Sequence, residues 1–343
     1  MAAKFTLQNR AFFLLILALT SLCVLTVFVV SPGIDGYEKA RFGEMVYGKA
    51  YKPFVYRQLL PLMVRGLVWL YPDNTATWLR TVIESISMVQ AKFDRSDWAR
   101  ALYPELITAC LLMWLALIGF AYALIYLLRT FYRTSLAVER SVVLLAVGIL
   151  PAFFDKCNYI YDFPLLFLFT LGLAFLARRK MWWFSLVFVL GCVNKETTIL
   201  LTLIFLIDCA SDAQFGKMKY YLWLLFQAAA FFIIKIALFF AYRDNAGGTV
   251  EIHLMDYNLG MVGTVGLETV IAIAAVGLAV FHDWRMKPRF LRRSLWIAIP
   301  LFVLTMLFGY IDEQRDFYEL YPLILLLMLP SILRLLKIAY RPV

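Results

Sequence analysis

The sequence predicts an all-α, polytopic membrane protein with about ten transmembrane helices in one integral membrane domain spanning residues 1–343, and three observations predict it. Of 343 residues, 63% are apolar and only 16% charged, whereas a soluble domain is roughly half apolar and a quarter charged. Apolar runs recur along the whole length from Ala11 to Leu336, at spacings that suit repeated bilayer crossing rather than two or three soluble domains joined by polar linkers. The basic residues gather on alternate connections, as cytoplasmic segments of a membrane protein do.

Taken in order, the apolar segments fall near 11–30, 106–128, 141–154, 163–177, 182–193, 197–208, 220–241, 267–281, 295–310 and 320–336. The first follows Lys4 and Arg10, as a signal peptide would. Its length and the absence of a small-x-small cleavage site make a retained first helix the expectation. The segments at 141, 182 and 197 are short against the ~20 residues of a crossing. They are expected to begin inside a recess, where backbone is buried in protein or lines water.

With the N-terminus inside, the inner segments hold 18 Lys and Arg against Glu139, Asp208, Asp212 and Asp283, a net +14, and the remaining residues hold 15 against 19, a net −4. Both termini are therefore expected on the cytoplasmic side, and the overall +10 needs no nucleic acid to explain it. Cys23, Cys110, Cys157, Cys192 and Cys209 are scattered without a CxxC pair, so neither a disulfide framework nor a zinc site is expected. His253 and His282 are the two histidines, too few for a His-based metal centre. No P-loop, GxGxxG or GxSxG stands in a fitting context, and no repeat marks an inverted-repeat transporter.

The first outer loop, residues 31–105, is the informative part. Residues 59–71 and 75–92 have helical apolar spacing interrupted by Arg65, Arg80 and Glu84, and Pro61 suits a first helical turn. Helices lying in the membrane interface are expected there, with Trp69, Tyr71 and Trp78 at headgroup level. Two further crossings are the weaker alternative, given the first segment's length and central arginine.

At the start of that loop the chain reads SPGIDGYEKARFGEMVYGKAYKPFVYRQLLP over residues 31–61. Asp35 just after the first helix, then Tyr37, Ala40, a Gly-x-x-Tyr spacer and YRQLLP resemble the first outer loop of GT-C glycosyltransferases, in particular the polyprenol-phosphate-mannose-dependent mannosyltransferases and their bacterial relatives. YIYDFPLL at 159–166, NKETTILL at 194–201 and DEQRDFYELYP at 312–322 are similar to stretches of uncharacterised bacterial membrane proteins grouped with that family. The resemblance implies a GT-C-like fold in a bacterial inner membrane and transfer of a hexosyl or pentosyl group, with inversion, from a polyprenyl-phosphate-linked donor to an extracytoplasmic acceptor (a lipid, a glycan or a protein). It implies Asp35 as the catalytic residue. The chain departs from the family in lacking a DxD motif, and no large C-terminal extracytoplasmic domain is expected. No resident cofactor is expected, since the lipid-linked sugar is itself the substrate, and a divalent metal stays open.

Charge placement supports the same chemistry independently. Asp35, Arg57, Asp155, Lys156, Asp162, Lys195, Glu196, Arg243, Asp244, Asp312, Glu313, Arg315 and Glu319 come from almost every outer connection. Glycosyl transfer from a lipid phosphate needs a carboxylate to take the acceptor proton and cations to stabilise the departing phosphate. Arg57, Lys195, Arg243 and Arg315 are the candidate cations, with Asp162 and Glu196 as further substrate-binding acids. Each has a structural alternative. Asp35 can cap an interfacial helix, Asp162 can start one, Lys195 and Glu196 can form an ordinary hairpin, and Arg315 and Glu319 can pair along a helix face. Lys235 either snorkels to the outer interface or lines a recess. A flippase or transporter of lipid-linked sugar, or a non-catalytic membrane subunit, are the competing functions. The flippase would be expected to carry polar residues on both faces and helices broken at the midplane.

Overall fold

Backbone polar groups within a bilayer must be satisfied inside their own segment, so long apolar runs become helices. The computed structural model describes residues 2–85, 102–210 and 216–343, and these are overwhelmingly helical. The helices are α1 (Ala2–Phe28), α2 (Phe42–Val46), α3 (Leu59–Trp69), α4 (Asp73–Glu84), α5 (Tyr103–Phe131), α6 (Leu136–Gly148), α7 (Asp162–Ala177) and α8 (Met181–Asn194). They continue as α9 (Leu200–Cys209), α10 (Lys217–Ala241), α11 (Leu259–Val262), α12 (Leu267–Phe281), α13 (Arg289–Ser294), α14 (Ala298–Phe308) and α15 (Tyr321–Leu335). Two strands of two residues each, β1 (Tyr132–Arg133) and β2 (Arg341–Pro342), pair antiparallel.

Five stretches are long and apolar enough to cross a membrane: Gln8–Gly33, Tyr103–Phe131, Leu136–Phe153, Lys217–Ala241 and Arg289–Phe308. Leu136–Phe153 corrects the expectation of a short segment at 141. The helix starts earlier than the apolar run, because Ser135 caps it by accepting the Val138 N–H, and Arg140 is carried inside it with its guanidinium on the Asn9 carbonyl at 3.1 Å. The expected short segments at 182 and 197 do remain short, as α8 and as a 3₁₀ turn (Glu196–Ile199) leading into α9.

The core is built on α5, α7 and α8. Where α5 packs on α7, Leu117, Phe120 and Leu124 of the first and Phe163, Leu166, Phe169 and Leu173 of the second are all buried in one apolar cluster. Gly119 lets those two helices close, since a Cβ there would sit 3.0 Å from the Phe167 ring. The connection from α7 to α8 is three residues, and Arg179 ends α7 in the left-handed conformation at φ 57°. By contrast α10 has one buried residue, Gln227, and turns Phe232, Ile233, Ile236 and Phe240 outward. That is the pattern of a helix facing lipid.

The connections gather at two poles. At one, Asn158 N–H donates to the Gly33 carbonyl, Gln58 N–H to Val193, Lys52 N–H to Ala246 and His253 N–H to Leu307, at 2.8–3.1 Å. At the other, Val343 N–H reaches the Phe131 carbonyl at 3.0 Å and Arg178 donates to Tyr126. Both chain ends lie at this second pole. In the first loop, α3 and α4 cover much of the two expected interfacial helices, with Trp69 and Trp78 exposed. Residues 86–92 of the second, and Asp212 of the inner charge inventory, lie outside the described residues, as do the side chains of Arg80 and Glu84. Arg65 does not interrupt α3. It ties α3 to α2 by donating to the Val46 carbonyl and to Gln58 Oε1.

Candidate active site

Five connections converge at the pole away from the chain ends and bring together charges distant in sequence. Tyr159, Tyr161 and Asp162 stand at the start of α7. Tyr159 and Tyr161 stack with ring centroids 5.2 Å apart and an interplanar angle of 5°, which presents one ring to each of two arginines. Arg315, on the turn after α14, lies over Tyr159 at 4.2 Å, and Arg57, from the first loop, lies over Tyr161 at 4.5 Å and donates to its hydroxyl. Such cation–π seats hold a guanidinium in one plane where water is scarce.

Around Arg315 the acids are Glu313, which takes a direct ion pair, and Asp162 and Asp316, each 3.8 Å away. Asp162 is wholly buried. Its Oδ2 accepts the Tyr159 N–H at 3.0 Å, while Oδ1 has no hydrogen-bond partner among the described residues. The helix-start role is thus real, and it leaves one carboxylate oxygen over.

Lys195 is buried between Asp316 at 3.7 Å and Glu319 at 3.9 Å. It lies in the break between α8 and α9, which Gly191 keeps tight, since a Cβ there would be 2.7 Å from Thr198 Cγ2. Glu319 accepts from the Thr197 hydroxyl and its Oε2 is unpartnered among the described residues. Glu196 receives Arg57 through two bonds, 2.5 and 3.3 Å. The sequence pattern left Arg315 and Glu319 open as a helical surface pair. The structure corrects it: both side chains are buried and each has other partners. Lys235 also departs from snorkelling. Its Nζ is buried, lies 5.9 Å from the ring of Phe231 one turn toward the helix start, and interacts electrostatically with Glu196 and Arg57.

A second group adjoins the first. Lys156 pairs with Asp312 at 2.6 Å, Tyr257 donates to the same carboxylate at 2.7 Å, and His253 stacks on Tyr310 at 4.4 Å. Burial would raise the Asp312 carboxyl, but the bonds from Lys156 and Tyr257 outweigh it and hold the group below its ordinary value. Glu313 is shifted the other way, raised by burial against the pull of Arg315.

Asp35 sits beside these groups, half-buried, with Oδ1 accepting the Phe42 N–H at 2.7 Å at the start of α2. Its neighbour Gly36 lies against Cys157 Sγ and the Lys156 carbonyl. Of the sequence-derived candidates, Arg57, Asp162, Lys195, Glu196 and Arg315 therefore share one polar layer, with Asp35 alongside. Arg243 does not join them: it is exposed on the turn after α10, paired with Asp244 at 3.6 Å. The sequence reading missed Asp316 and the tyrosine pair. The alternating YIYD at the head of an apolar run was the available signal, since residues two apart in a turn can flank one another.

No family model, curated protein or solved structure matches the chain. What the layer does has to be read from its own chemistry. Arg57, Lys195, Arg315 and Lys235 stand among Asp162, Glu196, Glu313, Asp316 and Glu319, so fixed cations are available for an anion and carboxylates for a proton. Among the described residues no cluster of His, Cys, Asp and Glu is arranged to hold a metal ion.

Proposed function

We propose that the protein is an integral membrane glycosyltransferase of GT-C type, crossing the bilayer ten times with both termini in the cytoplasm. It moves a sugar from a polyprenyl-phosphate donor to an extracytoplasmic hydroxyl acceptor with inversion. The observation that carries this reading is the one-sided polar layer: cations and surplus carboxylates are buried together at one pole. The ion pairs of the other pole, such as Arg129 with Glu139 at 2.6 Å and Arg179 with Asp208 at 2.7 Å, are short structural ties between neighbouring helices. A flippase would be expected to carry polar residues on both faces and helices broken at the midplane.

In this scheme the acceptor oxygen attacks the anomeric carbon as the bond from that carbon to the phosphate oxygen breaks. The bonding electrons leave with the polyprenyl phosphate, and the acceptor proton passes to the carboxylate of Asp35. Arg57, Lys195 and Arg315 supply positive charge near the leaving phosphate, arginine as a bidentate donor and lysine as a point charge. Dry surroundings strengthen each of these interactions.

The test is transfer by the purified full chain in liposomes, with a panel of polyprenyl-phosphate hexoses and pentoses and extracts of envelope glycolipids as acceptors. Labelled product is expected with one donor. No transfer with any donor, together with no retention of polyprenyl phosphate by the protein, would overturn the proposal.

A further inference from the structure

At the pole of the chain ends, the 20-residue stretch Arg289–Phe308 opens beside a groove lined by Trp284, Arg289, Arg292, Arg293 and Trp296. Three guanidiniums thus face one concave surface framed by two indoles. Their charge is poorly answered. Among the described residues the one ion pair made by these three arginines is Arg293 with Asp208 at 3.7 Å, and Asp208 is already engaged by Arg179 at 2.7 Å. Arg293 also donates to the Asp208 backbone carbonyl at 3.2 Å. Arg289 is exposed and makes no ion pair among the described residues. The Arg292 guanidinium lies 6.0 Å from the Trp284 ring, and its Nε is buried without an acceptor among the described residues.

Other arginines at this pole have partners. Arg129 pairs with Glu139, Arg334 with Asp283, and Arg178 lies on the Tyr126 ring while donating to Thr130. In the groove the buried Arg292 Nε lacks an acceptor among the described residues, which is costly when nothing fills the place. The surface running away from it is apolar: Trp296, Ile299, Phe302 and Val303 are all exposed along one stretch of helix. A ligand that satisfies both features carries an anionic phosphate on an apolar tail.

We propose that this groove binds the phosphodiester headgroup of an anionic phospholipid in the leaflet at the chain-end pole. The phosphate lies between Arg289 and Arg292, with the acyl chains running along Trp296, Ile299 and Val303. Arginine suits the phosphate because its fork donates in two parallel bonds, and tryptophan suits the headgroup boundary because its ring is apolar with a polar edge. The site is independent of the transferase reading and lies at the opposite pole.

The experiment is native mass spectrometry of the purified full chain titrated with phosphatidylglycerol or phosphatidylcholine of matched chains. Arg289→Gln, Arg292→Gln, Arg292→Lys and, as a control outside the groove on the same connection, Arg285→Gln are compared. An arginine in contact with the lipid phosphate is expected to contribute roughly 1 kcal/mol, or about fivefold in affinity, whereas one on the same connection outside the groove is not. The wild type is expected to prefer phosphatidylglycerol. Arg289→Gln and Arg292→Gln are each expected to weaken that binding about fivefold, Arg292→Lys less, and Arg285→Gln not at all. Thermal unfolding of each variant reports whether the fold is retained. Equal retention of the two lipids, equal weakening by Arg285→Gln, or displacement of the lipid by millimolar inorganic phosphate alone would each overturn the proposal.

Discussion

The guanidinium of Arg57 grips the carboxylate of Glu196 across 139 residues of sequence, with Nη2 to Oε1 at 2.5 Å and Nε to Oε2 at 3.3 Å. The contact fixes the first loop to the break between α8 and α9, the two segments that supply Arg57 and Lys195 to the polar layer. Removing Glu196 leaves Arg57 beside the like charge of Lys235, and removing Arg57 takes from Glu196 its direct partner. We expect Arg57→Met and Glu196→Gln each to destabilise the protein by about 1–3 kcal/mol, below the value for a fully buried pair because Glu196 keeps part of its surface open. The double variant should lose clearly less than the sum of the two, since the partners interact directly. Thermal midpoints in detergent measure this, and strict additivity would show that the contact contributes nothing.

Arg315 illustrates why charge alone does not define the layer. Its guanidinium faces Glu313, Asp162 and Asp316 and lies over the Tyr159 ring at 4.2 Å. Lysine keeps the charge but has neither the planar face nor the fork. Arg315→Lys is therefore expected to lower the thermal midpoint by several degrees and to reduce donor use at least tenfold. Wild-type behaviour would mean that a point charge suffices there.

The all-helical character of the chain was readable in the sequence because hydropathy acts locally: an apolar run forms a helix whatever its neighbours do. The residues of the polar layer were readable too, since charges near the ends of apolar segments are few. Partner choice was not. Arg315 and Glu319 stand four apart and suggest each other, yet the 3₁₀ turn Gln314–Phe317 rotates Arg315 toward α7 and leaves Glu319 to Lys195 and Thr197. Arg243 looked equivalent to Arg57 by position on an outer connection. It ends on the exposed turn after α10 rather than among the converging connections, and only tertiary packing decides that. The close-packing glycines, Gly119 and Gly191, carry no sequence mark that separates them from other glycines.

Asp312 provides a pH test. Its carboxyl is held low by Lys156 and Tyr257 against the effect of burial. A depressed acid stabilises the fold above its unfolded value, near 3.9 for aspartate, and that contribution is lost as pH falls through the lower folded value. Asp312→Asn should thus be less stable than wild type at pH 7, by at most about 1 kcal/mol for so exposed a pair. The two should converge below about pH 4. Thermal midpoints measured from pH 7 down to the limit of solubility check this, and a gap that widens in acid would reverse the assignment.

Orientation is tested with single cysteines. Gly48 is unsuitable despite its place in the first loop, because it adopts φ +68° and a Cβ there would meet the Tyr242 ring at 2.8 Å. Asp244 and Met286 are exposed at opposite poles. With both termini in the cytoplasm, Asp244→Cys is expected to react with an impermeant maleimide in intact cells, and Met286→Cys only after the membrane is opened. The reverse pattern would invert the topology and place the polar layer inside.

Asp35 has both a structural and a chemical role to separate. Its Oδ1 accepts the Phe42 N–H at 2.7 Å, which anchors the start of α2. Asparagine preserves a carbonyl oxygen for that bond but cannot take a proton, whereas alanine removes both. If the residue only anchors α2, Asp35→Asn should transfer sugar nearly as well as wild type, and Asp35→Ala should lose about 1 kcal/mol of stability, the usual worth of such a cap. If it is the general base, Asp35→Asn should keep the wild-type thermal midpoint while transfer falls by roughly 10²- to 10⁴-fold, the contribution expected of a positioned base. Asp35→Glu, with its carboxylate displaced by one methylene, should retain more transfer than asparagine while unsettling α2. We expect the second pattern. Stability and transfer measured on the same preparations decide it, and an asparagine variant with near-normal transfer would move the proton acceptor to Asp162, whose Oδ1 has no hydrogen-bond partner among the described residues.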